Sequence, residues 1–122
     1  MNRAILVTLA GLSGAWACAS MPPPRQQVVE SASAIRAAEA LGAENYPQAS
    51  LHLKLARDEH ARAGALISQG ENEQAALALR QSRADAELAQ AKVRAAQAEQ
   101  EATEARQRVN EARSEGPRMG EP

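Results

Sequence analysis

The chain has 122 residues, enough for at most one ordinary domain, and a formal net charge of −1. Because the charges are balanced, nothing in the composition calls for binding to nucleic acid or to an anionic surface. Phe is absent and there is one Trp and one Tyr, so alanine carries much of the apolar fraction. Alanine favours helices but buries little area, and the composition therefore favours thin, elongated helical packing over a globule with a deep pocket.

Residues 1–17 have the three parts of a secretory signal peptide. Arg3 supplies the positive charge, residues 4–12 (AILVTLAGL) form the apolar run, and residues 13–17 are small apart from Trp16. The apolar run is shorter than the ~20 residues needed to cross a bilayer. We therefore expect residues 1–17 to act in export and exclude them from the fold.

Cys18 is the only cysteine and follows this signal directly, in the stretch AWACAS. The small residue before it fits the lipobox of bacterial lipoproteins, although Ala15 and Trp16 depart from the usual leucine and small residue. A lone cysteine cannot form an intramolecular disulfide, and a free thiol in an exported protein needs another explanation. The sequence therefore predicts lipid attachment at Cys18. The alternative is ordinary signal-peptidase cleavage, which would leave a chain that begins at Cys18 or Ser20.

Lipid attachment at Cys18 also predicts a location for the protein. A diacylglyceryl group and an amide-linked chain exceed the two anchors that stable membrane attachment requires. Ala19 occupies the position where an aspartate would retain a lipoprotein in the inner membrane of many Gram-negative bacteria. We therefore expect an outer-membrane lipoprotein of the bacterial cell envelope that faces the periplasm. Residues 18–27, which include three consecutive prolines, are predicted to form a disordered tether.

Two helical segments follow the tether. The first is predicted over residues 28–41, with apolar side chains three or four positions apart, and ends at Gly42. The second begins at Pro47, because proline loses nothing at the first helical position, and ends at Gly70. Its main apolar row, the predicted packing face, contains Ala49, Leu53, Ala56, His60, Ala63 and Ile67. A second row that widens this face contains Leu51, Leu55 and Leu66.

The third helical segment has no Pro or Gly between Gly70 and Gly116, and it is predicted to begin at Asn72 as N-cap and to span roughly 60 Å. Its main row repeats at intervals of four and three, which is a heptad pattern. This main row contains Leu77, Gln81, Ala84, Leu88, Ala91, Ala95, Ala98, Ala102, Ala105, Val109 and Ala112. A second row repeats the pattern as far as residue 96 and contains Ala75, Leu79, Ser82, Ala86, Ala89, Val93 and Ala96.

These segment lengths predict an all-α fold: an antiparallel helical hairpin or three-helix bundle with a long, protruding, coiled-coil-like C-terminal helix. The bundle is expected over residues 28–97, with the second helix folded back on the third and the first covering the groove between them. Residues 98–113 extend the third helix beyond its partners, and residues 114–122 are predicted to be a disordered tail. We expect the extension to protrude from a monomer; pairing with another chain is the alternative.

Few residues have a pattern suited to catalysis or metal binding. His52 and His60 are eight positions apart, and Ala56 occupies the position, four from each, that a metal-binding pair on a helix would need. We therefore expect His60, which lies in the packing row, to be a partly buried or interface histidine. The sequence predicts no catalytic residue, no metal site and no cofactor-binding residue, and hence no enzyme.

Acidic neighbours on the helices are poor acid–base pairs. Asp58 and Glu59 are adjacent, and neighbours one or two positions apart point to different sides of a helix. Asp85 is expected to form a hydrogen bond or a charge pair near the hairpin. Gly64 lies inside the second helix, where it costs roughly 1 kcal/mol relative to alanine, and we expect it to allow close helix packing.

Short motifs link the helical part to a known family. They are Ala34-Ile35, Ala37-Ala38, Gly42-Ala43, Tyr46-Pro47, Leu53, Leu55-Ala56-Arg57, Gly70, Ala75-Ala76 and Ala84-Asp85-Ala86. On these motifs, residues 31–96 resemble a bacterial family catalogued as domain of unknown function 4398. The resemblance implies a short helical bundle exported as a lipoprotein, and it supplies no known catalytic residues.

The function expected from these features is that of a non-catalytic exported lipoprotein, a membrane-anchored helical module that acts as an envelope scaffold or docking surface. Its expected partners are the membrane, through the lipid on Cys18, and another envelope protein; a homo-oligomer is left open and nucleic acid is not expected. The alternative is a soluble periplasmic tetratricopeptide-like adapter or chaperone, because the turn at Gly70 is similar to one such hairpin. A single hairpin is not a repeat array, however, so we favour the lipoprotein.

Overall fold

The computed structural model of the chain describes residues 21–116. Within this part the fold is all-α, as predicted, with three helices and one short 3-10 turn. The helices are α1 (Arg25–Ala40), α2 (Pro47–Ser68) and α3 (Asn72–Glu115). None of them combines the length and the hydropathy that a helix needs to span a membrane. The predicted signal peptide and Cys18 lie outside the described residues.

Two helix boundaries differ from the sequence prediction. α1 begins at Arg25 rather than at residue 28, so three residues assigned to the tether are helical. The carbonyl oxygen of Pro24 accepts the hydrogen bond of the Val28 N–H at 3.1 Å, and the absent N–H of proline is no loss at the start of a helix. α3 continues to Glu115, which lies inside the predicted tail.

Two glycines turn the chain between the helices. Gly42 (φ 74°) and Gly70 (φ 80°) adopt the left-handed backbone conformation, which side chains disfavour. Gly42 follows α1 and leads into the 3-10 turn Ala43–Asn45. Gly70 makes the tight turn between α2 and α3 that the sequence predicts, and its N–H donates to the carbonyl oxygen of Ile67 at 3.0 Å.

α1 runs parallel to α3. Arg83 Nη1 lies 3.0 Å from Glu30 Oε2, and further along both helices Gln90 Nε2 donates to the Ala34 carbonyl oxygen at 3.1 Å. From the first contact to the second, the residue numbers rise in both helices. α1 therefore lies in the groove of the hairpin that α2 and α3 form, as predicted.

α2 runs antiparallel to α3, and this pair forms the largest helix contact of the bundle. Ser82 Oγ donates a buried hydrogen bond to the Ala56 carbonyl oxygen at 2.7 Å, so the two backbones approach closely. Small side chains permit that approach. The main core cluster contains Ile35, Ala38, Ala43, Ala49, Leu53, Ala56, Ala86, Ala89 and Val93.

α3 packs on its neighbours through its second row and leaves its main row exposed. The buried residues of the second row are Ala75, Leu79, Ser82, Ala86, Ala89 and Val93. In the main row, Leu77 is 55 % and Leu88 is 40 % exposed. Of the two rows that the sequence offers on α3, the bundle therefore packs on the second. The main row contains Gln81, whose amide would be costly to bury, whereas the Ser82 hydroxyl of the second row has a backbone acceptor.

α2 follows its predicted main row, and its second row only at Leu66, which is half-buried against a core cluster. Leu53, Ala56 and other members of the main row are buried. Leu51 is 57 % exposed and does not widen the core. Gly64 is exposed, and no atom lies within 4 Å of the Cβ that a side chain would add there. The expected role of Gly64 in close helix packing is therefore wrong.

The last part of α3 extends beyond the bundle, as predicted. Every residue from 98 to 116 is exposed, and the bundle ends near Ala96. Residues 98–115 correspond to about 27 Å of helix. An ion pair between Glu104 and Arg108, four positions apart, supports this segment with a 4.0 Å separation.

Candidate functional site

The two histidines of α2 contact different helices. His60 Nδ1 lies 2.7 Å from Ser31 Oγ of α1, and His52 Nδ1 lies 3.1 Å from Asp85 Oδ1 of α3. His60 is half-buried at a helix–helix contact, as its place in the packing row predicts. The two pairs thus link α2 to each of its neighbours, and the geometry keeps the histidines apart.

Asp85 is the buried acid of the bundle. It accepts hydrogen bonds from two sides, because Gln81 Nε2 donates to its second carboxylate oxygen at 2.9 Å while His52 contacts the first. This confirms the expected hydrogen bond or charge pair at Asp85. A buried carboxylate with both oxygens engaged has a structural explanation that needs no substrate.

The polar pairs do not assemble a reaction centre in the described part of the chain. Ser31, the hydroxyl beside His60, is fully buried and cannot meet a substrate. Among residues 21–116 no group of three or more His, Cys, Asp or Glu side chains converges as metal ligands would. The histidine pairs therefore act as cross-links between helices.

A surface ion network closes the end of the bundle near the 3-10 turn. The Arg57 guanidinium contacts Glu44 at 2.7 Å and also pairs with Glu39 of α1. The hydrogen bonds that the guanidinium donates to these two carboxylates, that to Glu44 first, raise the pKa of Arg57 above its ordinary value. The network joins α1, the turn and α2 at the surface.

The main row of α3 is a long exposed apolar surface that the fold leaves without a partner helix. It runs from Leu77 at the start of α3 to Ala112 near its end, about 53 Å along the helix. Inside the bundle it borders the groove between α2 and α3, where Leu77 and Gln81 lie beside Arg62 of α2. Beyond the bundle it continues along the extension, where Val109 is 49 % exposed.

Charged residues alternate in sign along both sides of this row, except that one side ends in two arginines, Arg106 and Arg113. In heptad notation, with Leu88 and Val109 at position a, the g residues are Arg80, Glu87, Arg94, Glu101 and Arg108. The e residues on the other side are Ala78, Asp85, Lys92, Glu99, Arg106 and Arg113. The alternation can be read from the sequence once the row is known to be exposed.

The start of the described chain lies at the same end of the bundle as the α2–α3 turn. Asn72, the first residue of α3, donates a hydrogen bond from Nδ2 to the Met21 carbonyl oxygen at 2.7 Å. Asn72 is thus not the predicted N-cap; that position belongs to Glu71, which makes no side-chain capping bond. The free end of α3 lies at the opposite end of the molecule.

Comparison with known proteins identifies the family. Residues 26–105 match the family described as a domain of unknown function (DUF4398), which is more than half of the chain. The chain belongs to this family. The DUF4398 match covers α2, all but the first residue of α1, and α3 as far as residue 105. It continues past residue 96, where the resemblance in the sequence ends, into the extension of α3. No curated protein and no solved structure matches the chain.

Proposed function

We propose that this DUF4398 protein is a non-catalytic lipoprotein of the bacterial envelope, tethered to a membrane through Cys18. Its helical bundle holds a docking surface for another envelope protein away from that membrane. The observation that carries the proposal is the hydrogen bond between Asn72 and the Met21 carbonyl oxygen. This bond keeps Met21 at one end of the bundle, and the extension of α3 leaves from the other.

Backbone geometry limits how far Cys18 lies from the bundle and how far α3 reaches. Cys18 precedes Met21 by three residues, so its Cα lies within about 11 Å of that of Met21. α3 has 44 residues, and a helix of that length measures about 66 Å. A lipid on Cys18 would therefore hold the α2–α3 turn near the membrane surface, and α3 could carry its far end up to about 66 Å from that turn.

The arrangement of polar groups supports a non-catalytic role. Both histidines of α2 are engaged with other helices, and the serine beside His60 is buried. The surface with apolar character lies along a helix rather than in an enclosed cavity, which suits another helix or an extended protein surface as the partner. This supports docking over chemistry on a small molecule.

The anchor is tested by the intact mass and the N-terminal peptide of the protein purified from membranes. We expect a triacylated Cys18 and partition into the detergent phase. The matched variant Cys18→Ser should lack the lipid mass and partition into the aqueous phase. An unmodified wild-type chain that begins at Cys18 or Ser20 would contradict the anchor and support a periplasmic protein without lipid.

The docking surface is tested by deleting residues 98–113 from the otherwise full chain. Because these residues are all exposed, the deletion should leave the bundle folded while an envelope partner that co-purifies with the wild-type protein is lost. A control that deletes only residues 117–122 should retain the partner. Partner binding that survives the deletion of residues 98–113 would show that the extension is not the docking surface.

A further inference from the structure

The main row of α3 has the features of a coiled-coil seam without a second helix in its own chain. Its spacing alternates between four and three over eleven positions without a break. α1 and α2 pack on the other row, so they leave this one exposed. A helix exposed to solvent on all sides does not require an apolar heptad row, yet this row continues as far as Ala112.

The extension of α3 also keeps the seam without a partner helix in its own chain. Residues 98–115 are all exposed, yet their seam positions are four alanines and Val109. Valine is a weaker helix former than alanine, and an exposed valine in a single solvated helix gains nothing from packing. A partner helix along the seam would bury Val109 and stabilise a segment that is otherwise marginal in water.

We propose that the main row of α3 is a self-association surface, on which a second copy of this chain packs as a parallel, in-register two-stranded coiled coil. The charges beside the row select this occupant. In a parallel coiled coil, a residue at g faces the e residue five positions further along the partner helix. The first four such pairs are opposite in charge: Arg80 with the partner's Asp85, Glu87 with the partner's Lys92, Arg94 with the partner's Glu99, and Glu101 with the partner's Arg106.

The same charges disfavour a slipped register. If one helix moves by a heptad towards the N-terminus of the other, like charges meet at most pairs; Glu87, for example, faces the partner's Asp85 and Glu101 faces the partner's Glu99. Two pairs are exceptions: Arg80 faces the partner's Ala78, and the partner's Glu101 faces Arg113. Like charges across an interface destabilise it. In register, the charges of one copy complement those of the other, and one heptad out of register most of the pairs repel. An isologous dimer, in which both copies use the same surface, requires such self-complementarity.

Not every one of these pairs contributes equally. Asp85 is already engaged with His52 and Gln81 inside its own bundle, so the pair nearest the α2–α3 turn adds little. The last pair, Arg108 with the partner's Arg113, is repulsive. The pairs formed by Arg94 and by Glu101 join exposed side chains, and they contribute most to the selection of register. The net charge of −1 adds little repulsion between the copies.

A parallel dimer agrees with the proposed anchor, although it does not rest on it. Both copies would have Met21 at the same end, so two lipids would enter one membrane. The two-stranded extension would still offer its outward faces to another envelope protein. The dimer is best tested with Cys18→Ser in the full chain, purified in detergent, so that its outcome does not depend on whether Cys18 is lipidated.

The first test reverses one charge pair. By sedimentation equilibrium at low salt we expect Glu101→Arg or Arg106→Glu to raise the dimer dissociation constant roughly tenfold, because each change turns two attractive pairs per dimer into repulsive ones. The double variant Glu101→Arg/Arg106→Glu should restore the wild-type value. As a matched control, Glu111→Arg makes the same change of charge on the opposite face of α3 and should leave the constant unchanged. A wild-type chain that stays monomeric would overturn the proposal. So would a double variant whose dimer dissociation constant is no lower than those of the two single variants.

The second test reads the orientation. Ala91→Cys and Ala112→Cys, made separately in the Cys18→Ser chain, place a single thiol near each end of the seam. In a parallel, in-register dimer the new thiol of one chain lies opposite the same thiol of the other chain. Both variants should therefore form disulfide-linked dimers on mild oxidation. An antiparallel dimer brings at most one of these positions together with itself. Cross-linking of only one variant, or of neither, would contradict the parallel arrangement.

Discussion

Ser31 Oγ and His60 Nδ1 lie 2.7 Å apart and join α1 to α2 inside the bundle. The same hydroxyl lies 3.2 Å from the Val28 carbonyl oxygen, one turn earlier in α1. A hydroxyl has one proton and two lone pairs, so Ser31 can donate to that carbonyl while it accepts from the imidazole. Both polar groups are thereby satisfied in a contact that is otherwise formed by apolar side chains.

A double-mutant cycle should measure this bond. We expect Ser31→Ala and His60→Ala to be non-additive, with a coupling of about 0.5–1.5 kcal/mol in the free energy of unfolding determined by urea denaturation. Ser33→Ala, at an exposed position of the same helix, serves as the control and should be additive with His60→Ala. Additivity of the Ser31 and His60 changes would mean that the bond adds nothing to stability.

Because α3 buries its second row and exposes its main row, leucine substitutions at Ala89 and Ala91 should have different effects on the free energy of unfolding. Ala89 is fully buried against its neighbours, so Ala89→Leu should overpack the interface and lower the free energy of unfolding by about 1–3 kcal/mol. Ala91 lies in the exposed main row, and Ala91→Leu should change it by less than about 0.5 kcal/mol in the monomer. Denaturation at low protein concentration, which keeps the chain monomeric, checks both. The reverse order would mean that α3 is rotated about its axis.

Leu53 and Leu51 of α2 form a second matched pair. Leu53 is one of the largest fully buried side chains, and Leu53→Ala should cost about 2–5 kcal/mol in the free energy of unfolding. In a fold with so few large core side chains, thermal denaturation should show a correspondingly lower melting temperature. Leu51→Ala removes the same atoms from an exposed position, and a comparable loss there would refute the assignment of the core.

Two glycine substitutions should have opposite signs. Gly64→Ala should raise the free energy of unfolding by about 1 kcal/mol, because alanine favours the helix and the added Cβ meets no atom within 4 Å. Gly42→Ala should lower it by about 1–2 kcal/mol, because Gly42 has φ 74°. An added Cβ there would also lie only 3.2 Å from Asn45 Nδ2. Thermal denaturation of the two variants beside the wild type would decide; equal effects would contradict both assignments.

Local signals explain why much of the fold could be predicted. The proline at the start of α2, the glycines at the two turns and the unbroken run of helix formers before Gly116 act within a few residues of their own positions. The length of α3 relative to α2 then requires an extension beyond the bundle. The family could likewise be named from short motifs, and the match over residues 26–105 confirms it.

The sequence by itself thus determined the helices, their turns, their order and the extension, because helix propensity and turn conformation are properties of the local chain. Only the tertiary structure decided which of the two rows of α3 is buried, since both have the same period and the choice depends on what α1 and α2 place against them. The partners of Ser31 and Asp85 were settled in the same way, by helices distant in sequence. The exposure of Leu77 and Gly64 follows from that packing, and it is the packing that leaves the heptad row of α3 on the surface.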